Sequence, residues 1–151
     1  IFLAKLDRLN LLQNEGEQIC IPGAVFAEIQ TKRDETSIQI EQATQNRLQV
    51  KKVKNEDAVN LLLADLDLGE AEVIVLANEL KADRLLLDDL DARRFARRIN
   101  RPIIGTLGIL LTAKVQGKIP SVHDEILKLQ KHGFWTTETL IAKILTAAGE
   151  N

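Results

Sequence analysis

The chain has 151 residues, is 45% hydrophobic and carries a formal net charge of −2, with 22 acidic residues against 20 basic ones. That length closes one core without disulfides or a structural metal, so a single domain over residues 1–151 is expected. The near-balanced charge argues against a uniformly basic nucleic-acid binder, and four Phe, one Trp and no Tyr leave little aromatic surface for stacking bases.

The lone Cys20 allows no disulfide framework and reads as a reduced thiol buried in a cytoplasmic protein. No apolar run approaches the roughly 20 residues that span a bilayer, and no signal-peptide pattern opens the chain. With Ile1 first and no methionine, the translated start is expected upstream.

Ile1, Leu3, Ala4, Leu6, Leu9, Leu11 and Leu12 recur at helical spacing and predict an opening helix. Gln18 to Ile21 reads as a strand, and Pro22 then starts a helix with Val25, Phe26 and Ile29 facing inward. A solvated helix with flanking loops is expected within Thr31 to Gln49, followed by a short edge strand, Val50 to Val53, whose lysines discourage pairing with other chains. Asn55 is positioned to cap a helix running to about Leu66, and Gly69 breaks the pattern before a second helix, Glu70 to Lys81. Strands follow at Arg84 to Asp88 and Pro102 to Ile104, each leading into a helix, the first over Ala92 to Asn100. The chain ends in helices over Val122 to Lys131 and Thr137 to Ala148. Strands alternating with helices, with no hairpin dipeptides, predict parallel βαβ units and a three-layer α/β domain.

The run Leu85-Leu86-Leu87-Asp88-Asp89 is an apolar strand ending in two carboxylates. In open α/β sheets that edge is where ligands bind, whereas capping the next helix needs only Asp89 or Asp91. Glu28, in the helix after the first strand, and Glu70, at the start of its own helix, occupy comparable places. Carboxylates converging in one cleft repel each other unless a cation neutralises them, and hard Mg²⁺ or Mn²⁺ suits oxygen ligands. Taken singly, Glu70 also reads as a helix N-terminal acid and Glu28 as a solvated flank. Just beyond the acids, Arg93, Arg97 and Arg94, Arg98 stack at i, i+4, which fits phosphate binding as well as a plain solvated face. Arg93 is also near enough in sequence to buttress Asp88 or Asp89. Thr106, after the last strand, is expected to cap the next helix with its hydroxyl toward the same cleft. There is no P-loop and no GxGxxG fingerprint. Asp65, Asp67 and Gly69 lack the remaining ligands of a calcium loop, and His123 and His132 read as surface or helix-end histidines.

Across nearly its whole length the sequence resembles the PIN-domain nucleases, in particular an uncharacterised prokaryotic PIN-like branch. The segments that carry the resemblance are Ile1 to Leu12, Ile21-Pro-Gly-Ala-Val-Phe-Ala-Glu28, Leu68-Gly-Glu70-Ala-Glu-Val-Ile-Val-Leu-Ala, Leu86-Leu-Asp88-Asp89 with Ala92-Arg93, and Gly105-Thr-Leu-Gly-Ile-Leu. The resemblance implies a parallel central sheet with helices on both faces, an acidic pocket for Mg²⁺ or Mn²⁺, and hydrolysis of single-stranded RNA. It also implies a toxin, with an antitoxin protein and a second copy of the chain as candidate partners. Glu28, Glu70 and Asp88 take the catalytic and metal-binding places, with Asp89 as a further ligand. Arg93, Arg94, Arg97, Arg98 and Thr106 stand toward the substrate. Relatives place a first aspartate at the end of a central strand, which here would fall before Ile1, so the sheet is expected to lack its first central strand. The rival reading is a non-catalytic regulatory or protein-binding module on the same fold. A receiver-like phosphoacceptor fits less well, since no lysine follows the last strand at Thr106.

Overall fold

In the computed structural model, which describes residues 1–12 and 17–150, the chain opens with α1 (Phe2–Lys5) and a 3₁₀ turn (Leu9–Leu12). There follow β1 (Ile19–Pro22), α2 (Gly23–Thr31), α3 (Glu35–Thr44), β2 (Leu48–Lys51), α4 (Glu56–Leu62) and α5 (Leu68–Glu79). Next come β3 (Leu85–Leu86), α6 (Leu90–Arg98), β4 (Ile103–Ile104), α7 (Thr106–Val115), α8 (Val122–Lys131) and α9 (Glu138–Ala148). The chain divides into two compact units, Gly16–Ile104 and Ile1–Glu15 joined with Gly105–Asn151.

The Gly16–Ile104 unit is an α/β arrangement organised on α5. Ala71, Ile74, Val75, Leu76 and Ala77 of α5 are buried, and the helix packs against α2, α4, α6, β1 and β3. A helix apolar on nearly every side has this central place as its stable solution. Ala92 and Ala96, one turn apart on α6, are both 0% exposed, so α6 meets the core through its small residues while Arg94, Arg97 and Arg98 are exposed. The rest of this core comes from Val53, Val59, Leu66, Leu85 and Leu87.

All described strand pairing is parallel, as expected, but it forms two ladders, β1 with β2 and β3 with β4, in place of one sheet. Both ladders rest on α5, through β1 and β3. β1 runs in register from Ile19 opposite Leu48 to Pro22 opposite Lys51. Along β3 and just after it, Leu85 and Leu87 are buried and Leu86 is exposed. The Leu87 N–H donates to the Ile104 carbonyl at 3.0 Å, so the ladder reaches the residue immediately before Asp88.

Several boundaries differ from the sequence expectation for identifiable reasons. The opening helix stops at Lys5, and Asp7 adopts φ 56°. That left-handed residue lets the Arg8 N–H reach back to the Leu3 carbonyl at 2.7 Å and ends the helix. The same device, at Arg33, Lys81 and Asn100, follows α2, α5 and α6. α4 ends at Leu62, and the edge strand is Leu48–Lys51. Gly69 lies inside the first turn of α5, because Asp67 caps that helix two residues earlier.

In the other unit, α7, α8 and α9 pack together, with Leu110, Val122, Ile126 and Leu129 fully buried. Glu125 is 2% exposed, and its Oε1 meets Arg8 Nη2 at 3.0 Å and Lys128 Nζ at 2.9 Å. The Glu150 carboxylate accepts from the backbone N–H groups of Val122 at 2.9 Å and His123 at 2.8 Å, at the start of α8. Those bonds, with Lys114 Nζ at 2.9 Å, hold its carboxyl down to about 2, the His123 N–H contributing most. Among the described residues no helix is long and apolar enough to cross a membrane.

Candidate acidic site

The segment Asp67-Leu68-Gly69-Glu70 builds the first part of the site by closing a capping box. The Glu70 N–H donates to Asp67 Oδ1 at 3.4 Å, and the Asp67 N–H donates to Glu70 Oε2 at 3.3 Å. This satisfies two otherwise unpaired helix-end donors and also holds two carboxyl groups side by side. A second helix start brings a third. Asp89 caps α6, its Oδ1 accepting from Asp91 N–H at 2.7 Å and Ala92 N–H at 2.9 Å.

The electrostatic result is concentrated on Glu70, whose pKa rises from 4.5 to about 7. Burial is the largest cause, and the negative charges of Asp89 and Asp67 add to it, against a lowering by the Asp67 N–H. Desolvation and like charge both disfavour the carboxylate, so a proton or a cation at Glu70 is favoured.

Glu28 approaches from α2. A Cβ placed on Gly69 would stand 3.8 Å from Glu28 Oε2 and 3.2 Å from Val25 Cγ2. α2 thus lies close against the first turn of α5 at residue 69, the neighbour of Glu70, where an added Cβ would crowd Val25 and make ordinary contact with Glu28. Glu28 itself is exposed, and Asp88 is half-buried in the loop between β3 and the α6 cap.

Glu70 and Asp89 thus sit within electrostatic reach of each other, with Glu28 beside residue 69. Asp67 enters the sequence reading only as an incomplete calcium ligand, although the Asp-x-x-Glu spacing ahead of an apolar run is the available signal for its capping role. Among the described residues no three His, Cys, Asp or Glu side chains stand together as a ready metal cage. The donor chemistry nevertheless suits a hard divalent ion, since Mg²⁺ commonly binds through one or two carboxylates and keeps its remaining waters.

The arginines divide by role. Arg93 Nη1 donates to the Leu87 carbonyl at 2.9 Å and braces the loop that carries Asp88 and Asp89. Arg94 pairs with Asp91 at 3.0 Å. Arg98 lies 5.5 Å from the Phe95 ring centroid. Arg97 is exposed. Thr106 corrects the expectation made for it: Gly105 is the N-cap of α7, and Thr106 is its first residue, 1% exposed and in the other unit.

A family model, DUF3368, a PIN domain, matches residues 1–150. The chain belongs to the PIN-domain family. PIN domains are generally nucleases and typically use divalent metal ions, so the acids at the starts of α5 and α6 lie in a fold of that kind. Comparison with curated proteins and with solved structures returned no match.

Proposed function

We propose that this PIN domain is an Mg²⁺- or Mn²⁺-dependent endoribonuclease acting on single-stranded RNA, with Glu28, Glu70, Asp88 and Asp89 as the metal-binding acids. The observation that carries the reading is the gathering of carboxyl groups at two helix starts, Asp67 with Glu70 in the capping box of α5 and Asp89 at the cap of α6, with Glu28 beside residue 69. Burial first, and then the charges of Asp89 and Asp67, raise the pKa of Glu70 there. When bound, a divalent ion supplies Lewis-acid polarisation of the scissile phosphate and acidifies water at neutral pH.

The chain's own residues do the positioning. Arg97 and Arg98, on the solvent side of α6, hold backbone phosphates, while Arg93 keeps the Asp88–Asp89 loop in place through Leu87. Scarce aromatic surface leaves phosphate contacts as the main source of affinity, consistent with a sequence-tolerant single-strand substrate. A cytoplasmic nuclease of this kind has to be restrained, and a toxin neutralised by an antitoxin protein belongs to the same proposal. The dispersed acid set, with no three ligands assembled among the described residues, favours a second reading, a PIN-like module that binds protein or RNA without cleaving it.

A metal titration with thermal melting separates the two. Binding confined to the folded state stabilises by about 2.7 kcal/mol at a hundredfold excess over Kd, so Mn²⁺ should raise the melting temperature and Asp88→Asn should abolish the rise. A melting temperature indifferent to Mn²⁺ and Mg²⁺, together with uncut RNA, would establish the non-catalytic module.

A further inference from the structure

We propose that Glu72 is a positioning residue: it fixes α2 on α5 and thereby sets Glu28 at the first turn of α5. The N-cap of α2 is Pro22, which offers no side-chain acceptor to the free N–H groups of that helix. Glu72 supplies it from elsewhere. Its Oε2 accepts from the Ala24 N–H at 2.8 Å across 48 residues of sequence, in a partly buried contact. A carboxylate is also the group a helix N-terminus favours, because the unpaired N–H dipoles carry positive partial charge there.

Gly69 stands three residues before Glu72 on α5, and positions i and i+3 share a helix face. The two residues meet α2 at successive points. Glu72 grips residue 24, while the bare Gly69 admits Val25 at 3.2 Å and Glu28 at 3.8 Å from the place its Cβ would occupy. The first contact ties the start of α2 to α5, and the second brings the next turn of α2, with Val25 and Glu28, against Gly69.

The metal-binding part of the inference rests on the nuclease reading, and the helix-fixing part does not. The test uses Glu72→Ala, Glu72→Gln and Glu72→Asp in the full chain. Gln keeps the reach of the acceptor oxygen and drops its charge, whereas Asp keeps the charge and withdraws the oxygen by one methylene. Two quantities are read: hydrogen exchange of the Ala24 amide by NMR, and the Kd for Mn²⁺ by calorimetry.

Expected results are an Ala24 amide exchanging at least roughly tenfold faster in the Ala and Asp variants, with Mn²⁺ affinity reduced roughly tenfold, the scale seen when a partner that orients a metal ligand is removed. Glu72→Gln should restore both to within about threefold of the parent. An Ala24 amide equally protected in all variants overturns the proposal, as does Mn²⁺ affinity in Glu72→Gln as low as in Glu72→Ala, which would make Glu72 a ligand. If Glu72→Ala does not fold, Glu72→Asp carries the comparison. If the parent chain binds no Mn²⁺, the nuclease reading falls and Ala24 exchange alone decides whether Glu72 fixes α2.

Discussion

Glu70 makes stability depend on pH in a direction opposite to that of most carboxylates. Its pKa is about 7 in the folded chain against 4.5 in the unfolded one, so the folded state binds the proton more tightly. The side chain is therefore tolerated without penalty below about pH 4.5, and stability is lost progressively as pH rises from there through 7. Each pH unit between the two values is worth about 1.36 kcal/mol, which sets an upper bound of about 3.4 kcal/mol. Glu70 remains partly exposed, and screening by water brings the expected cost to about 1 to 2 kcal/mol above pH 7.

Glu70→Gln isolates that cost, since the amide oxygen can still accept from the Asp67 N–H and the charge is gone. Urea unfolding in the presence of a chelator should find the variant equal to the parent near pH 4.5 and about 1 to 2 kcal/mol more stable near pH 8. Asp89→Asn should shift the parent's profile toward lower pH by removing one of the neighbouring charges. A difference between Glu70→Gln and the parent that stays constant from pH 4.5 to 8 would refute the assignment, because a helix-capping effect has no such dependence.

Asp89 combines a cap with a charge, and two substitutions separate them: Asp89→Ala should lower stability by about 1 kcal/mol, while Asp89→Asn should hold it, both read by thermal melting. Lys81, at φ 51° after α5, should gain up to about 1 kcal/mol on change to Gly, since L side chains are disfavoured in that conformation; an unchanged or lowered melting temperature would count against strain there. Replacing Arg97 and Arg98 with Gln should leave the melting temperature unchanged and reduce the salt dependence of single-stranded RNA binding by about 0.7 for each phosphate no longer neutralised. An identical slope would return these arginines to the status of a solvated face.

What the sequence makes legible is whatever one residue's side chain decides by itself. Val122–Lys131 is readable with its own bounds, and Asn55 and Asp89 cap the helices that follow them. A hydroxyl or carboxyl before an apolar repeat carries its hydrogen-bonding role with it. The break at Asp7 is invisible because a left-handed residue other than glycine leaves no compositional mark. Strand pairing is harder still. Two ladders of four and two residues differ from a single sheet in how segments distant in sequence meet, and local pattern does not encode that.

The same distinction explains which parts of the site the sequence conceals. Glu70, Asp88 and Asp89 stand out because each follows or opens a predicted element, and Glu28 because the resemblance to PIN domains gives it a place. Glu72 does not, since within Glu70-Ala-Glu72 it reads as one more acid in a helix start, and its work is done on Ala24. Gly69 misleads for a related reason: a glycine ahead of a helical pattern signals a break, whereas here it lies in the first turn of α5 with Val25 of α2 close against it. Both residues act across the α2–α5 contact. The acidic site is therefore specified as much by how α2 is seated on α5 as by the carboxylates themselves, and substitutions at Gly69 or Glu72 should reach Glu28 without altering any acid proposed to bind metal.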